Sequence, residues 1–139
     1  MELSGKTVIV TGASAGIGAA TARAFAEAQA NVVLAARNAE RLESVRRSLP
    51  GRHLAVPTDV TDAAQVERLV AQAVAAFGRI DIVVSNAGVG LAAPVAELRD
   101  DDLLEALRVN VLGPLALTRA ALPHMQRLGR GQLMFVSSV

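Results

Sequence analysis

The chain has no cysteine, so neither a disulfide framework nor a thiolate metal site can form, and that absence suits a reducing compartment. Histidine is scarce. His53 and His124 lie far apart in the sequence and read as partly exposed polar side chains, so no metal site is expected. Neither sign of charge is in excess, since 14 basic and 13 acidic residues leave a net charge of +1. Arginine is scattered rather than gathered into a tract that could follow phosphates, which argues against a nucleic-acid partner. Long apolar runs are missing too. Residues 1–6 carry no apolar segment behind basic ones, and the longest uncharged stretch, 82–96, is interrupted by glycine and proline. No membrane span is expected, and a soluble cytoplasmic protein is the default reading. Tyrosine is absent and lysine occurs once, at Lys6, two shortages that restrict acid–base chemistry.

What is present is a core-forming composition, with 52% hydrophobic and 19% charged residues in 139, enough for one ordinary domain over 1–139. Short β-branched runs alternate with longer amphipathic ones. Residues 7–11 form a near-continuous apolar run that suits a parallel strand covered on both faces. Ile17, Ala20, Thr21, Ala24, Phe25 and Ala28 recur at helical spacing and predict an inward stripe on the following helix. The pattern then predicts a strand over 32–36, a helix over 40–49, a strand over 53–57, a helix capped by Asp62 with Val66, Leu69, Val70, Ala73, Val74 and Phe77 inward, and a strand over 80–85. Gly78 supplies the helix stop. Asp100, Asp101 and Asp102 suit the positive end of a long helix turning Leu104, Leu107, Val111, Leu115 and Leu122 inward, bent or loosened at Gly113-Pro114. A fifth strand is expected over 132–136. This alternation implies right-handed crossovers, hence an α/β fold with a doubly wound parallel sheet of Rossmann type, whose ligands bind at the carboxyl ends of the strands.

Each strand end carries something unusual for a plain loop. After the first strand comes Thr11-Gly12-Ala13-Ser14-Ala15-Gly16-Ile17-Gly18. Gly12 permits a tight turn, Gly16 lets the backbone approach a phosphate, Gly18 allows close packing of helix on strand, and unpaired amides at the helix start face the anion. A glycine-rich turn that binds nothing is the plain alternative. No Gly-Lys-Ser/Thr follows, so a Walker loop is excluded. At the end of the second strand stand Ala36-Arg37, where a carboxylate would suit the ribose hydroxyls of NAD. A guanidinium there suits a 2′-phosphate, so NADP is expected, with NAD as the alternative. Arg37 as a solvated surface cation is the bland reading.

The T-G-x-x-x-G-x-G spacing resembles the short-chain dehydrogenase/reductase family. Further marks follow in that family's order: Asp59-Val60, Ser85-Asn86-Ala87-Gly88, Asn110 and Ser137-Ser138. The resemblance covers the whole chain and roughly the first half of a family member. It implies the strand order 3-2-1-4-5, truncated after the fifth strand, and a coenzyme site that includes Gly12, Ser14, Ala15, Gly16, Ile17, Gly18 and Arg37. It further implies that Asp59 bonds the adenine with Val60 against its ring, and that Asn86, Ala87 and Gly88 line the pocket, Ser85 standing where Asn is usual. Ser138 would polarise the substrate carbonyl and Asn110 would hold the active-site helix and a relay water. Read alone, Asp59 is a turn cap, Ser138 a turn residue and Asn110 a helix-bend residue.

The implied activity is hydride transfer between NADP(H) and a small carbonyl or alcohol substrate, with a homo-oligomer expected for the full-length form. The family's Tyr-x-x-x-Lys pair is missing, and Lys6, at the start of the first strand, lies at the wrong end of the sheet to substitute. Negligible turnover is therefore expected of these 139 residues alone. The alternative is a non-catalytic dinucleotide-binding or interaction module. The strand over 132–136 is expected as an exposed apolar edge.

Overall fold

The structure, a computed structural model, describes residues 2–138, so the outermost positions of the expected 1–139 domain, Met1 and Val139, lie outside the described residues. Five strands, β1 (Thr7–Thr11), β2 (Asn31–Ala36), β3 (His53–Pro57), β4 (Ile82–Ser85) and β5 (Gln132–Phe135), alternate with the helices α1 (Gly16–Glu27), α2 (Ala39–Arg47), α3 (Ala63–Phe77), α4 (Asp100–Leu107) and α5 (Gly113–Leu128). The sheet is parallel with strand order β3-β2-β1-β4-β5, as expected.

Every side chain of β1 is buried because the sheet is covered on both faces. Val8, Val10, Val32, Leu34, Ile82 and Val84 pack with Ala22, Ala26 and Leu42 of α1 and α2. Ile9, Val33, Val56 and Val83 pack with Leu69 and Ala73 of α3 and with Leu117, Ala121 and Met125 of α5. The strand starts are tied by Asp81. Its carboxylate accepts from Thr7 N at 3.0 Å and from Arg79 Nε and Nη2 at 2.7 and 2.6 Å, its amide donates to Thr7 O, and its carbonyl accepts from Gln132 N. Lys6 Nζ lies 4.0 Å from the same carboxylate, at the end of the sheet opposite the glycine-rich turn after β1.

Asp62 caps α3 by accepting from Gln65 N, as expected, and Gly78 and Gly129 close α3 and α5. Three expectations need correction. The buried face of α1 is Gly18, Ala22 and Ala26, whereas Ile17, Ala20, Ala24 and Ala28 are exposed. Alanine recurs on every side of this helix, so small-residue spacing fits several phases, and the close contact at Gly18 selects one. In the long helix Leu104, Leu107, Val111, Leu115 and Leu122 face outward. The inward row is Val109, Gly113, Leu117, Ala121 and Met125, at four-residue steps. Two apolar stripes share this helix, and the narrower one fits against the sheet. A π-helical turn, Arg108–Leu112, precedes Gly113-Pro114, which is the loosening expected there. His53 is buried rather than partly exposed. Its Nδ1 accepts from Val32 N and its Nε2 meets Pro50 O at 2.8 Å, so the ring serves as a hydrogen-bonded core residue.

Candidate functional site

The turn after β1 is built by close approach. Gly12 has φ +65°, and a Cβ there would stand 2.8 Å from Asn86 Nδ2 and 3.0 Å from Ala87 Cα. A Cβ on Gly18 would strike Gly12 O and come within 2.6 Å of Asn86 Nδ2. These two positions pack α1 onto the ends of β1 and β4. Gly16 differs: at φ +54° it requires glycine, yet nothing lies within 4 Å of where its Cβ would be, so the space beside it is open to a ligand. Ala15, the residue before α1, offers no side-chain cap, which leaves the helix start without a side-chain acceptor.

Thr11 and Asn86 lock this turn to β4. Thr11 Oγ1 accepts from Asn86 N and Ala87 N at 3.0 and 3.1 Å, and Asn86 Nδ2 donates to Thr11 O at 3.1 Å. The segment from Asn86 to Gly88 thereby shares one rigid frame with the glycine turn.

Beside the turn opens a cleft of about 570 Å³ lined by Gly12, Ser14, Arg37, Arg41, Asp59 and Val60, with Ala87, Gly88 and Val89 at its far side. Both guanidinium groups belong to exposed residues, and Asn38 caps α2 by accepting from Arg41 N. Asp59 is held below the usual carboxylate range, chiefly by the Thr61 hydroxyl, then by the Thr61 N–H, with burial opposing and the Arg37 charge assisting. It is therefore a fixed anion at neutral pH.

A second cleft of about 720 Å³ adjoins the first through Ala87, Gly88 and Val89 and brings together Ile17, Asn86, Asn110, Ser137 and Ser138. Asn110 lies in the π-helical turn, its Oδ1 accepting from Val89 N at 2.9 Å and its Nδ2 donating to Val89 O at 2.8 Å. It clamps the loop after β4 by both polar groups of one residue. Gly12 and Ser14 line the first cleft and Ile17 the second, so the start of α1 lies between them. Among the expected site residues only Ala15, Gly16 and Gly18 line neither cleft, Gly18 being buried beneath.

The family model for short chain dehydrogenase matches residues 6–139. The chain belongs to the short-chain dehydrogenase family. It is 35% identical over 145 residues to a dehydrogenase/reductase SDR family protein 7-like of Drosophila melanogaster, covering 99% of this chain and 44% of the relative. It is 38% identical over 138 residues to an uncharacterized oxidoreductase of Staphylococcus aureus, covering 99% and 60%. Among solved structures, a metagenomic short-chain oxidoreductase in complex with NADP superposes with a TM-score of 0.93 at 36% identity, covering all of this chain and 65% of that one. A short-chain dehydrogenase from Streptomyces avermitilis gives 0.90 at 37% identity, covering 96% and 49%. The chain thus spans about half the length of the relatives it matches.

The chain has groups suited to a dinucleotide: donors in the bare backbone at Gly16, the uncapped helix start and two arginines, and an acceptor in the Asp59 carboxylate. Three residues of the site escape a reading of the sequence. Arg41 has the pattern of a solvated helix residue, and its place on the cleft is visible only in the structure. Gln65 reads as a surface residue of α3, yet its Oε1 accepts from Asp59 N at 2.9 Å. Ser85 is buried with its hydroxyl unpartnered among the described residues, a departure from Asn that the sequence shows but whose cost only the packing reveals.

Proposed function

We propose that this chain forms the coenzyme-binding part of an NADP(H)-dependent oxidoreductase acting on a small carbonyl or alcohol substrate. The observation that carries this reading is the pair of adjoining clefts, one bearing Arg37 and Arg41 and the other Asn110 and Ser138, with the uncapped start of α1 between them. A bound nicotinamide coenzyme supplies or takes up the hydride. In this reading Gly12, Ser14, Ala15, Gly16 and Ile17 present backbone to the pyrophosphate, Gly18 lets α1 pack closely beneath them, and Arg37 with Arg41 receives the 2′-phosphate. Asp59 and Val60 seat the adenine, and Asn86, Ala87 and Gly88 wall the pocket. Ser138 holds the substrate oxygen through its hydroxyl, and Asn110 fixes the loop at Val89. The NADP in the metagenomic relative supports the coenzyme class.

Neither a phenol nor a nearby ammonium is at hand to exchange a proton with the substrate oxygen, because the 139 residues hold no Tyr and Lys6 is bound to Asp81 at the far end of the sheet. The chain by itself is therefore read as a binder with negligible turnover; the second reading is a dinucleotide-binding module that does no chemistry. The outward stripe of Leu104, Leu107, Val111, Leu115 and Leu122 suits burial against a second copy in the full-length form.

Calorimetric titration with NADPH and NADH tests the coenzyme assignment. NADPH is expected to bind at least about tenfold more tightly, since hydrogen bonds to a charged group contribute roughly 1.5–3 kcal/mol, and Arg37→Ala with Arg41→Ala is expected to abolish the difference. Tighter NADH binding refutes the NADP assignment, and no heat with either at millimolar concentration refutes the dinucleotide reading. Carbonyl reduction by the chain alone at ordinary enzyme rates refutes the inactivity.

A further inference from the structure

Asp59 sits in a closed ring of hydrogen bonds that the coenzyme reading does not by itself require. In a capping box, the glutamine at the third helical position reaches back to the N–H of the cap residue. Here that N–H is taken, because Asp62 N already donates to Asp59 O at 3.1 Å. Gln65 reaches past the cap instead. Its Oε1 accepts from Asp59 N at 2.9 Å and its Nε2 donates to Asp62 Oδ2 at 3.1 Å. The backbone of Asp59 is thus held at both its N–H and its carbonyl by the start of α3.

The side chain is held separately. Thr61 N and Thr61 Oγ1 both donate to Asp59 Oδ1, at 2.9 and 2.7 Å. Neither touches Oδ2, and no protein donor among the described residues does. Two donors on one oxygen restrict rotation of the carboxylate, and its second oxygen, part of a residue lining the 570 Å³ cleft, takes no hydrogen bond among the described residues. The Thr61 donors also keep the group ionised, so it accepts and never donates.

We propose that Thr61 and Gln65 are positioning residues that turn Asp59 into a reader of the base, selecting a purine with a 6-amino donor and rejecting one with a 6-oxo acceptor. This rests on the dinucleotide reading above. An acceptor fixed against an amino group gains a charge-assisted hydrogen bond, and the same acceptor fixed against a carbonyl oxygen meets a second acceptor with no donor between them. A loosely held carboxylate could swing aside and lose most of that discrimination. Rigidity is what Thr61 and Gln65 add.

The test is calorimetric titration of the 139-residue chain with NADPH and with its hypoxanthine analogue, in which oxygen replaces the adenine amino group. The unmodified chain is expected to bind NADPH about tenfold to a hundredfold more tightly than the analogue. Thr61→Val and Gln65→Leu are each expected to bring the ratio below about threefold, chiefly by weakening NADPH. Thr61→Ser, which keeps the hydroxyl, is expected to restore the ratio. Thr61 is exposed, so its valine variant leaves the core untouched, and far-UV circular dichroism checks the fold of each protein. An unmodified chain that binds both ligands equally overturns the proposal while leaving the coenzyme reading intact. So do well-folded Thr61 and Gln65 variants that keep the full ratio. Binding of neither ligand overturns both.

Discussion

Replacing Asp81 by Asn is expected to loosen the sheet at its base and to remove part of its acid sensitivity. Asp81 is only 5% exposed. Burial acts to raise its pKa, but the Arg79 bidentate bond, the Thr7 N–H and the Arg79 and Lys6 charges together lower it from the ordinary 3.8. An amide keeps the shape and one acceptor oxygen, yet leaves Arg79 with a single neutral acceptor and Lys6 without its counter-charge. Removing one partner of a fully buried ion pair costs about 3–5 kcal/mol. Arg79 is 30% exposed, so water recovers part of that and about 2 kcal/mol is expected. Since the folded pKa is the lower one, folding favours the ionised form. The stabilisation is complete above the unfolded value near 3.8 and is lost as pH falls through the folded value. The substituted chain should therefore be less stable at pH 7 and show a shallower loss as pH falls below about 4. Urea unfolding followed by far-UV circular dichroism at pH 7, 4 and 3 measures both, the chain having neither Trp nor Tyr to serve as a fluorescent reporter. A loss below about 0.5 kcal/mol with an unchanged acid limb would show Asp81 to be solvated and its strand-tying bonds unimportant.

Gly18→Ala is expected to cost about 3 kcal/mol and to abolish NADPH binding, because the new methyl meets backbone at Gly12 rather than a side chain that can move; chemical unfolding and calorimetry read the two effects. Gly113→Ala drives a methyl to 3.0 Å from Val60 Cγ2 and should push Val60 into the first cleft, weakening NADPH several-fold with about 1 kcal/mol of lost stability. A titration showing unchanged affinity would deny that link between α5 and the cleft. Ser85→Ala removes a buried hydroxyl with no partner and is expected to be neutral or to stabilise by up to about 1 kcal/mol, measured by its urea midpoint.

The strand ends were legible because each is punctuated by a residue whose chemistry is local. Asp62 caps where the sequence places a cap, and β3 occupies the expected residues, bounded by Pro50-Gly51 before it and Thr58-Asp59 after it. The inner face of α3 was legible, since Val66, Leu69, Val70 and Ala73 are buried where the spacing puts them, but the inner faces of α1 and the long helix were not. In α1 alanine supplies no contrast between phases, and in the long helix two apolar stripes compete, so periodicity names a helix without naming its inner side. The site divides in a similar way. Residues that act through backbone conformation, such as Gly12 and Gly16, are visible as missing side chains. Residues that act through a bond to another part of the chain, such as Gln65 on Asp59 or Asn110 on Val89, carry no mark of it in their neighbourhood.

The two ends of the sheet treat polar groups in opposite ways, and the contrast supports the ligand edge proposed at the carboxyl ends of the strands. At the starts of β1 and β4 the buried carboxylate of Asp81 is matched by Arg79, Lys6 and a backbone amide, a closed set that leaves little for a ligand to join. At the opposite end the start of α1 has no side-chain cap, the space beside Gly16 is open, and Asp59 keeps one oxygen unshared. Groups left this way are stable only while water solvates them, and a ligand that supplies matching charge displaces that water without breaking any protein bond. Rigidity comes from beneath, where Thr11 and Asn86 join the glycine turn to β4, so the donors are fixed before a ligand arrives and little ordering cost remains to be met on binding. A substitution at Thr11 should therefore weaken dinucleotide binding although its side chain lines neither cleft: Thr11→Val removes the acceptor for Asn86 N and Ala87 N while keeping its volume. Calorimetry should show the loss mainly as a less favourable entropy, from ordering a turn that is no longer preformed, and a purely enthalpic loss would mean that the frame holds without Thr11.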